Sequence, residues 1–317
     1  VTRPLSVEAF GRALFTTGDL DPVYLMLEGA QLDRAALQRW CLAYWMFYHV
    51  GVASWLSERT GPEFWDAVEA GLAGEEQFPR GTERRHFRGN AARQAVSYLR
   101  RRWGTEPEGA AASLDARDNH SVGSVLQFAD VARSVMEWTG FGPWIAFKVA
   151  DMLDGVLGVP VDFSGAVPGG LFDDPVKGAV WAFYVEEAGE GFSEFDTWTG
   201  FDFGMIEHGY APRLSERAEA LRDFLTEHHD GMPRAQRLAL TTRVVGGLLE
   251  RFKHDTFMGH PIRIQEVETV LCKWKSHLNG HYPVGKDSQE IQHALPGWGD
   301  TAAKCREVLI EHQVSLY

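Results

Sequence analysis

The stretch from Gly140 to Asp162, GFGPWIAFKVADMLDGVLGVPVD, constrains the fold more than any other part of the chain. Glycines on both sides of Phe141 let the backbone turn sharply with positive φ, where a side chain would clash. Pro143 suits the first turn of a new helix, where its missing N–H costs nothing. Ile145, Val149, Met152 and Leu153 then form one apolar stripe, and Gly158 and Pro160 stop the helix. The pattern is a helix–hairpin–helix element followed by Asp162. Amides at such a helix start can hold a phosphate oxygen without reading a base. The same residues also suit a helix–turn–helix corner with no ligand.

The rest of the chain reads as helix as well. Asp33 is an N-cap for a long helix from Arg34 to Glu58, ended by Gly61-Pro62. Further helices are expected at Glu63–Leu72, Asn90–Arg102, Ser124–Trp138, Ile145–Leu157, Pro175–Ala188, Ser215–His228, Arg234–Phe252, Ile264–Leu278, Ser288–Ala294 and Thr301–His312. Gly104–Ala112 has the composition of a surface loop, and Val156–Phe163 is too short and too Gly/Pro-broken for a β pattern. The expectation is an all-α fold in one helical domain, 1–317, with two lobes conceivable: 1–114 plus 215–317, and 115–214 containing the hairpin.

The 317 residues are 44% hydrophobic, enough for one large core or two ordinary ones. The cysteines Cys41, Cys272 and Cys305 fit neither a disulfide framework nor a zinc site, which points to a reducing compartment. No basic region followed by an apolar core marks a secretory leader. The uncharged run Trp40–Leu56 is short for a membrane span and carries Tyr44, Tyr48, His49 and Ser54, so a buried soluble helix explains it better.

A net charge of −13 opposes nucleic acid as a partner, but its distribution does not. Between Arg80 and Trp103 eight arginines, among them Arg84, Arg85 and Arg88, face Glu83 alone. Arg251–Lys286 is also cation-rich, while acid gathers in Glu186–Asp202. Such stripes either bind phosphates or form a solvated helix face.

Four clusters could carry chemistry. Asp162 is placed to stabilise developing positive charge or act as a base, or simply to cap the next helix. Tyr48-His49-Val50-Gly51 lies inside the long apolar helix, where Gly51 signals close approach of a backbone or ligand, and His49 is a base or a hydrogen-bonded core histidine. Glu266 and Glu268 precede Lys273 and Lys275 on one helix, as a site or as intrahelical pairs. Gly280–Asp287, with His281 and Lys286, is a Gly-rich loop that could hold phosphate but lacks the GxxxxGK[ST] spacing. No HExxH, CxxC, GxSxG or EF-hand pattern occurs, and nothing names a metal.

The hairpin-to-aspartate spacing resembles the helix–hairpin–helix DNA glycosylase superfamily, with Asp162 at the position of its catalytic aspartate. Bifunctional members carry a Schiff-base lysine just after the second glycine. Here Pro143-Trp144 stand there and Lys148 comes a turn later, which disfavours lyase chemistry. The longer strings RWCLAYWMFYHVGVASWLSE (Arg39–Glu58), GFGPWIAFKVAD, EVETVLCKWKSHLNGHYPVGKD (Glu266–Asp287) and IQHAL resemble the alpha-glutamyl/putrescinyl thymine pyrophosphorylase family, over about Asp21 to Leu309.

That resemblance implies phage DNA hypermodification in the cytoplasm of an infected bacterium. An amino acid or polyamine would displace pyrophosphate from 5-(pyrophosphoryloxymethyl)uracil in double-stranded phage DNA, forming a C–N or C–O bond. The base would be flipped from the stack. Asp162, Glu268 or His49 would serve as base. Arg39, Lys273, Lys275 and Lys286, with Tyr48 and His281, would bind substrate and pyrophosphate. Gly140, Phe141, Gly142, Trp144, Lys148, Arg84, Arg85 and Arg88 would face the DNA. No membrane is expected as a partner; the resemblance names no certain cofactor, and a pyrophosphate leaving group makes Mg²⁺ plausible. The alternatives are a glycosylase excising a modified base and a non-catalytic DNA-binding subunit of a hydroxymethyluracil DNA kinase.

Overall fold

The computed structural model describes residues 5–73, 77–115, 125–166, 172–186 and 216–315, and there the fold is all-α. The helices are α1 (Val7–Thr17), α2 (Pro22–Ala30), α3 (Arg34–Phe47), α4 (Val50–Ser57), α5 (Gly61–Ala73), α6 (Gly89–Trp103), α7 (Gly109–Asp115), α8 (Phe128–Met136), α9 (Pro143–Gly155), α10 (Asp173–Glu186), α11 (Glu216–Gly231), α12 (Arg234–Arg251), α13 (Ile264–Leu278), α14 (Lys286–Ala294) and α15 (Asp300–Ser315). Two strand pairs complete it: β1 (Leu126–Gln127) runs parallel to β2 (Val161–Asp162), and β3 (Thr256–Phe257) antiparallel to β4 (His260–Pro261). The aromatic, acidic run Glu194–Gly204 lies outside the described residues.

The chain forms two compact units, neither of them contiguous. Unit 1 comprises the described residues of Val1–Leu20 and Phe163–Lys286; unit 2 comprises those of Asp21–Asp162 and Asp287–Tyr317.

Unit 2 is built around α3. Every residue from Gln38 to Phe47 is buried, so this helix has no polar face to periodically mark it. Its indoles find partners: Trp40 Nε1 donates to Ser54 Oγ at 3.0 Å, and Trp45 Nε1 to Met152 Sδ at 3.2 Å. The expected single helix Arg34–Glu58 is in fact two. Tyr48 takes a left-handed conformation (φ 50°) that ends α3, and His49 starts α4 as its N-cap. Gly104–Ala112, expected as a loop, leads into α7, whose Ala110, Ala111 and Leu114 are buried. Glu58 accepts from the Thr301 amide at 2.7 Å and so caps α15.

The hairpin α8–α9 is closed at its open end by the β1–β2 bridge, which pairs Gln127 with Asp162. Val156–Phe163 thus does contribute a strand, though of only two residues, and Asp162 sits in it. In unit 1, α13 packs against α1, α10 and α12. Gly178 of α10 lies where a Cβ would come within 2.3 Å of the Leu271 carbonyl oxygen. Met258 and Gly259, both with positive φ, make the two-residue turn between β3 and β4.

Gly51 bears out a close approach: a Cβ there would meet the Trp298 ring at 2.3 Å and the Ala294 carbonyl oxygen at 2.6 Å. Gly51→Ala should therefore lower stability by about 1–3 kcal/mol, the usual range for overpacking. Gly246→Ala, on an exposed face of α12 with nothing within 4 Å of the new methyl group, should raise it by about 0.5–1 kcal/mol. Urea unfolding of the two variants beside the wild type measures both.

Candidate nucleic-acid interface and anion-binding loop

The corner between α8 and α9 lies at the surface of unit 2: Thr139, Gly140, Gly142 and Pro143 are exposed, and Phe141 alone turns inward, against Trp138. Only Gly140 needs its missing side chain for conformation, at φ 82°. Gly142 is the N-cap of α9 in an extended conformation (φ −102°), so the second glycine does not adopt the expected positive φ. Gly142 offers no side chain to cap α9, and Pro143 occupies N1, so the first-turn amides receive no capping bond from the N-cap residue.

Two groups hold the corner in place. Arg84, expected at the DNA surface, is instead buried beneath it. Its Nε donates to the Met46 carbonyl at 3.1 Å and its Nη1 to the Gly140 carbonyl at 3.1 Å, while the guanidinium lies over Phe87 and Phe141. A cation thereby satisfies the C-terminal end of α3 and fixes the corner to it. Burial pushes the guanidinium down to about 10, so it remains charged at neutral pH. Half-buried Tyr48 packs edge-on against half-buried Trp144, the second residue of α9, with ring centroids 5.1 Å apart. Burial first, then Glu83 and Asp21, raise the Tyr48 phenol well above its usual range, so it is neutral. Arg85 and Arg88, by contrast, are exposed as expected.

Lys148 is a second correction. Rather than facing DNA it is buried, donating to Asp21 Oδ2 at 2.6 Å, to the Tyr24 hydroxyl at 2.8 Å and to Asp151 Oδ2 at 3.2 Å. Tyr24 in turn donates to Asp151. Burial lowers the affinity of Lys148 for its proton, but the carboxylates Asp21 and Asp151 reverse this, and the ammonium is held more firmly than usual. Asp151, one turn along α9 from Lys148, was the available sequence signal; Asp21, far away in sequence, had none.

Asp162 is half-buried at the opposite end of α9 from the corner. The thirteen residues of α9 lie between them, about 20 Å of helix axis. His49 uses Nδ1 to accept from the Val52 amide at 3.2 Å, which places its proton on Nε2, and burial lowers its pKa to about 4. Its basic lone pair is thus already engaged. Arg39 is buried as well, with Nε on the Ser57 carbonyl at 3.1 Å and Nη1 3.7 Å from Glu108.

In unit 1 the structure brings Lys273 and Lys286 to one ring: their ammonium groups lie 4.9 and 5.9 Å from the centroid of Tyr282. Lys273 also donates to the Asp19 carbonyl at 2.6 Å and Lys286 to the His281 carbonyl at 3.0 Å. The expected phosphate loop already embraces an internal anion. Fully buried Asp19 accepts from the Gly285 amide at 2.7 Å and from the Tyr282 hydroxyl at 3.0 Å. Sequence reasoning missed this aspartate. His281 is exposed, Lys275 pairs with Asp174, and Glu268 is buried, accepting from Thr269 at 3.4 Å. Cys272 has its thiol pushed up to about 12, by burial and then by Glu268, and is no nucleophile at neutral pH. Among the described residues no group of three or more His, Cys, Asp or Glu is placed to hold a metal ion, and no helix is long and apolar enough to cross a membrane.

An exposed helix start beside an arginine-rich helix has the chemistry of an anion site. Comparison with known proteins makes this specific. The family model for amino acid:DNA transferase matches residues 12–282, and the chain belongs to that family of transferases. It is 40% identical over 305 residues to a glycinyltransferase of Pseudomonas phage PaMx11, covering 93% of this chain and 91% of the relative. It is 26% identical over 296 residues to a putrescinyltransferase of Delftia phage PhiW-14, covering 92% and 79% respectively.

Two outcomes follow from this geometry. The depressed pKa of His49 gives stability that is complete above its ordinary value of about 6.5 and is lost as pH falls toward 4. His49→Asn keeps a cap acceptor, so urea midpoints between pH 4 and 8 should show a flatter dependence than the wild type, while the lowered His277 and the raised Glu83 keep their opposing contributions. Lys148→Met leaves two carboxylates facing each other and should cost about 3–5 kcal/mol, seen as a drop in Tm.

Proposed function

We propose that this transferase acts on double-stranded phage DNA in the cytoplasm of an infected bacterium, displacing pyrophosphate from 5-(pyrophosphoryloxymethyl)uracil with an amine. The reading is supported by one observation above the others: the exposed, uncapped α9 corner and the arginines beside it, in a chain of the amino acid:DNA transferase family. Glycine is the first nucleophile to test, given the relative at 40% identity, and a polyamine the second.

In the proposed reaction the amine nitrogen attacks the methylene carbon on C5 of the pyrimidine. The C–N bond forms as the C–O bond breaks, pyrophosphate leaves with the electron pair, and the amine proton passes to a carboxylate. Asp162 and Glu268 are the candidate bases, since His49 is occupied as a cap. In unit 1 the ammonium groups of Lys273 and Lys286 are suited to the charge of a departing pyrophosphate. In unit 2 the corner would hold the backbone of the strand whose base is extruded, with Trp144 and Tyr48 offering aromatic surface.

The test is incubation with duplex DNA carrying the pyrophosphorylated base and single amines, followed by digestion to nucleosides and mass spectrometry. A glycine adduct with stoichiometric pyrophosphate is the expected result; unchanged nucleosides across natural amino acids and polyamines would reject the reading, and abasic sites would point to a glycosylase. Of Asp162→Asn and Glu268→Gln, the variant that removes the base should lose about 10²–10⁴-fold in kcat.

A further inference from the structure

The arginines of α6 are not equivalent. Arg100 is neutralised by Asp66 at 2.7 Å and Glu69 at 2.9 Å on α5. Arg93 and Arg101 are exposed and have no carboxylate partner among the described residues. With Ser97 between them they follow an i, i+4, i+8 spacing, which puts all three on one stripe. Ser97 accepts from Arg101 Nη1 at 3.0 Å and steadies it. Beside the stripe Tyr98 accepts from Arg102 at 2.8 Å.

These side chains line an open groove of about 410 Å³, together with Gln94, Tyr98 and Thr139. Thr139 immediately precedes Gly140, and a Cβ on Gly140 would lie 3.0 Å from that of Ala95 on α6. Groove and corner are therefore continuous. Eight positions of helix separate Arg93 from Arg101, about 12 Å of rise, so the two guanidinium groups can reach different phosphates of one strand.

We infer that this groove is a second phosphate-binding track, in which Arg93 and Arg101 hold the DNA backbone that continues from the α9 corner. The ligand is the phosphodiester chain itself, with Ser97 and Thr139 hydroxyls able to donate to its oxygens and no base read. This deepens the proposed function and rests on it for the identity of the polymer. It also explains how a chain with net charge −13 can hold a polyanion: the positive charge is local and unspent.

The experiment measures duplex affinity from 50 to 200 mM KCl for the wild type, Arg93→Gln, Arg101→Gln, the double variant and Arg100→Gln. Each removed phosphate contact should lower the slope of log K against log salt by about 0.9. The affinity lost over that salt range should then shrink roughly 3.5-fold per arginine and about 12-fold for the pair. Arg100→Gln changes the net charge equally and should leave the slope as in the wild type. Unchanged slopes in the Arg93 and Arg101 variants, or an equal change in Arg100→Gln, would overturn the groove whether or not the wild type makes product. A wild type with the arginine-dependent slope but no amine transfer keeps the groove and drops the proposed displacement of pyrophosphate by an amine. A wild type that binds no duplex overturns both.

Discussion

A single ammonium group, buried in unit 2 between Asp21 and Asp151, is the interaction on which the placement of α9 depends. A charge taken out of water is tolerated only when paired and hydrogen-bonded, and Lys148 has three acceptors arranged around it. Asp21 is the N-cap residue of α2 yet makes no side-chain cap bond, its carboxylate being turned to Lys148. The network therefore joins the start of α2 to the inward face of α9. With that face fixed, the opposite side of the first turn, Gly142 and Pro143, is left in solvent.

Buried and solvent-facing cations are sharply divided. Arg39, Arg84 and Lys148 are buried and bonded to carbonyls or carboxylates, whereas Arg85, Arg88, Arg93 and Arg101 are exposed. Arg84 links the classes, since it holds both the end of α3 and the start of the corner. The strained φ of Tyr48 has a place in the same arrangement. By ending α3 there it leaves Met46 O for Arg84 and turns its ring toward Trp144.

Helix periodicity made most of the fold legible, and the residues of the corner were legible from glycine and proline chemistry alone. The break at Tyr48-His49 was not, for a physical reason. A helix buried on every side carries no polar stripe, so nothing in Trp40–Leu56 reveals where one helix stops and the next begins. α7 was hidden by a Glu-Pro-Glu-Gly start that reads as loop until Ala110, Ala111 and Leu114 find the core. Nor can spacing tell a lysine that meets solvent from one that meets Asp21, a residue more than a hundred positions away.

The amino-acid order by itself determined the all-helical class, the sharp turn at Gly140, the local surplus of arginine and the family-like strings, because each depends on short-range sterics, periodicity or composition. Tertiary structure decided which cations are free, that Asp19 fills the glycine loop, that His49 is a cap, and that Asp162 stands a helix length from the corner. Those outcomes depend on which distant groups meet in a medium of low dielectric, where an unpaired charge is costly and partners are assigned by packing rather than by neighbourhood along the chain.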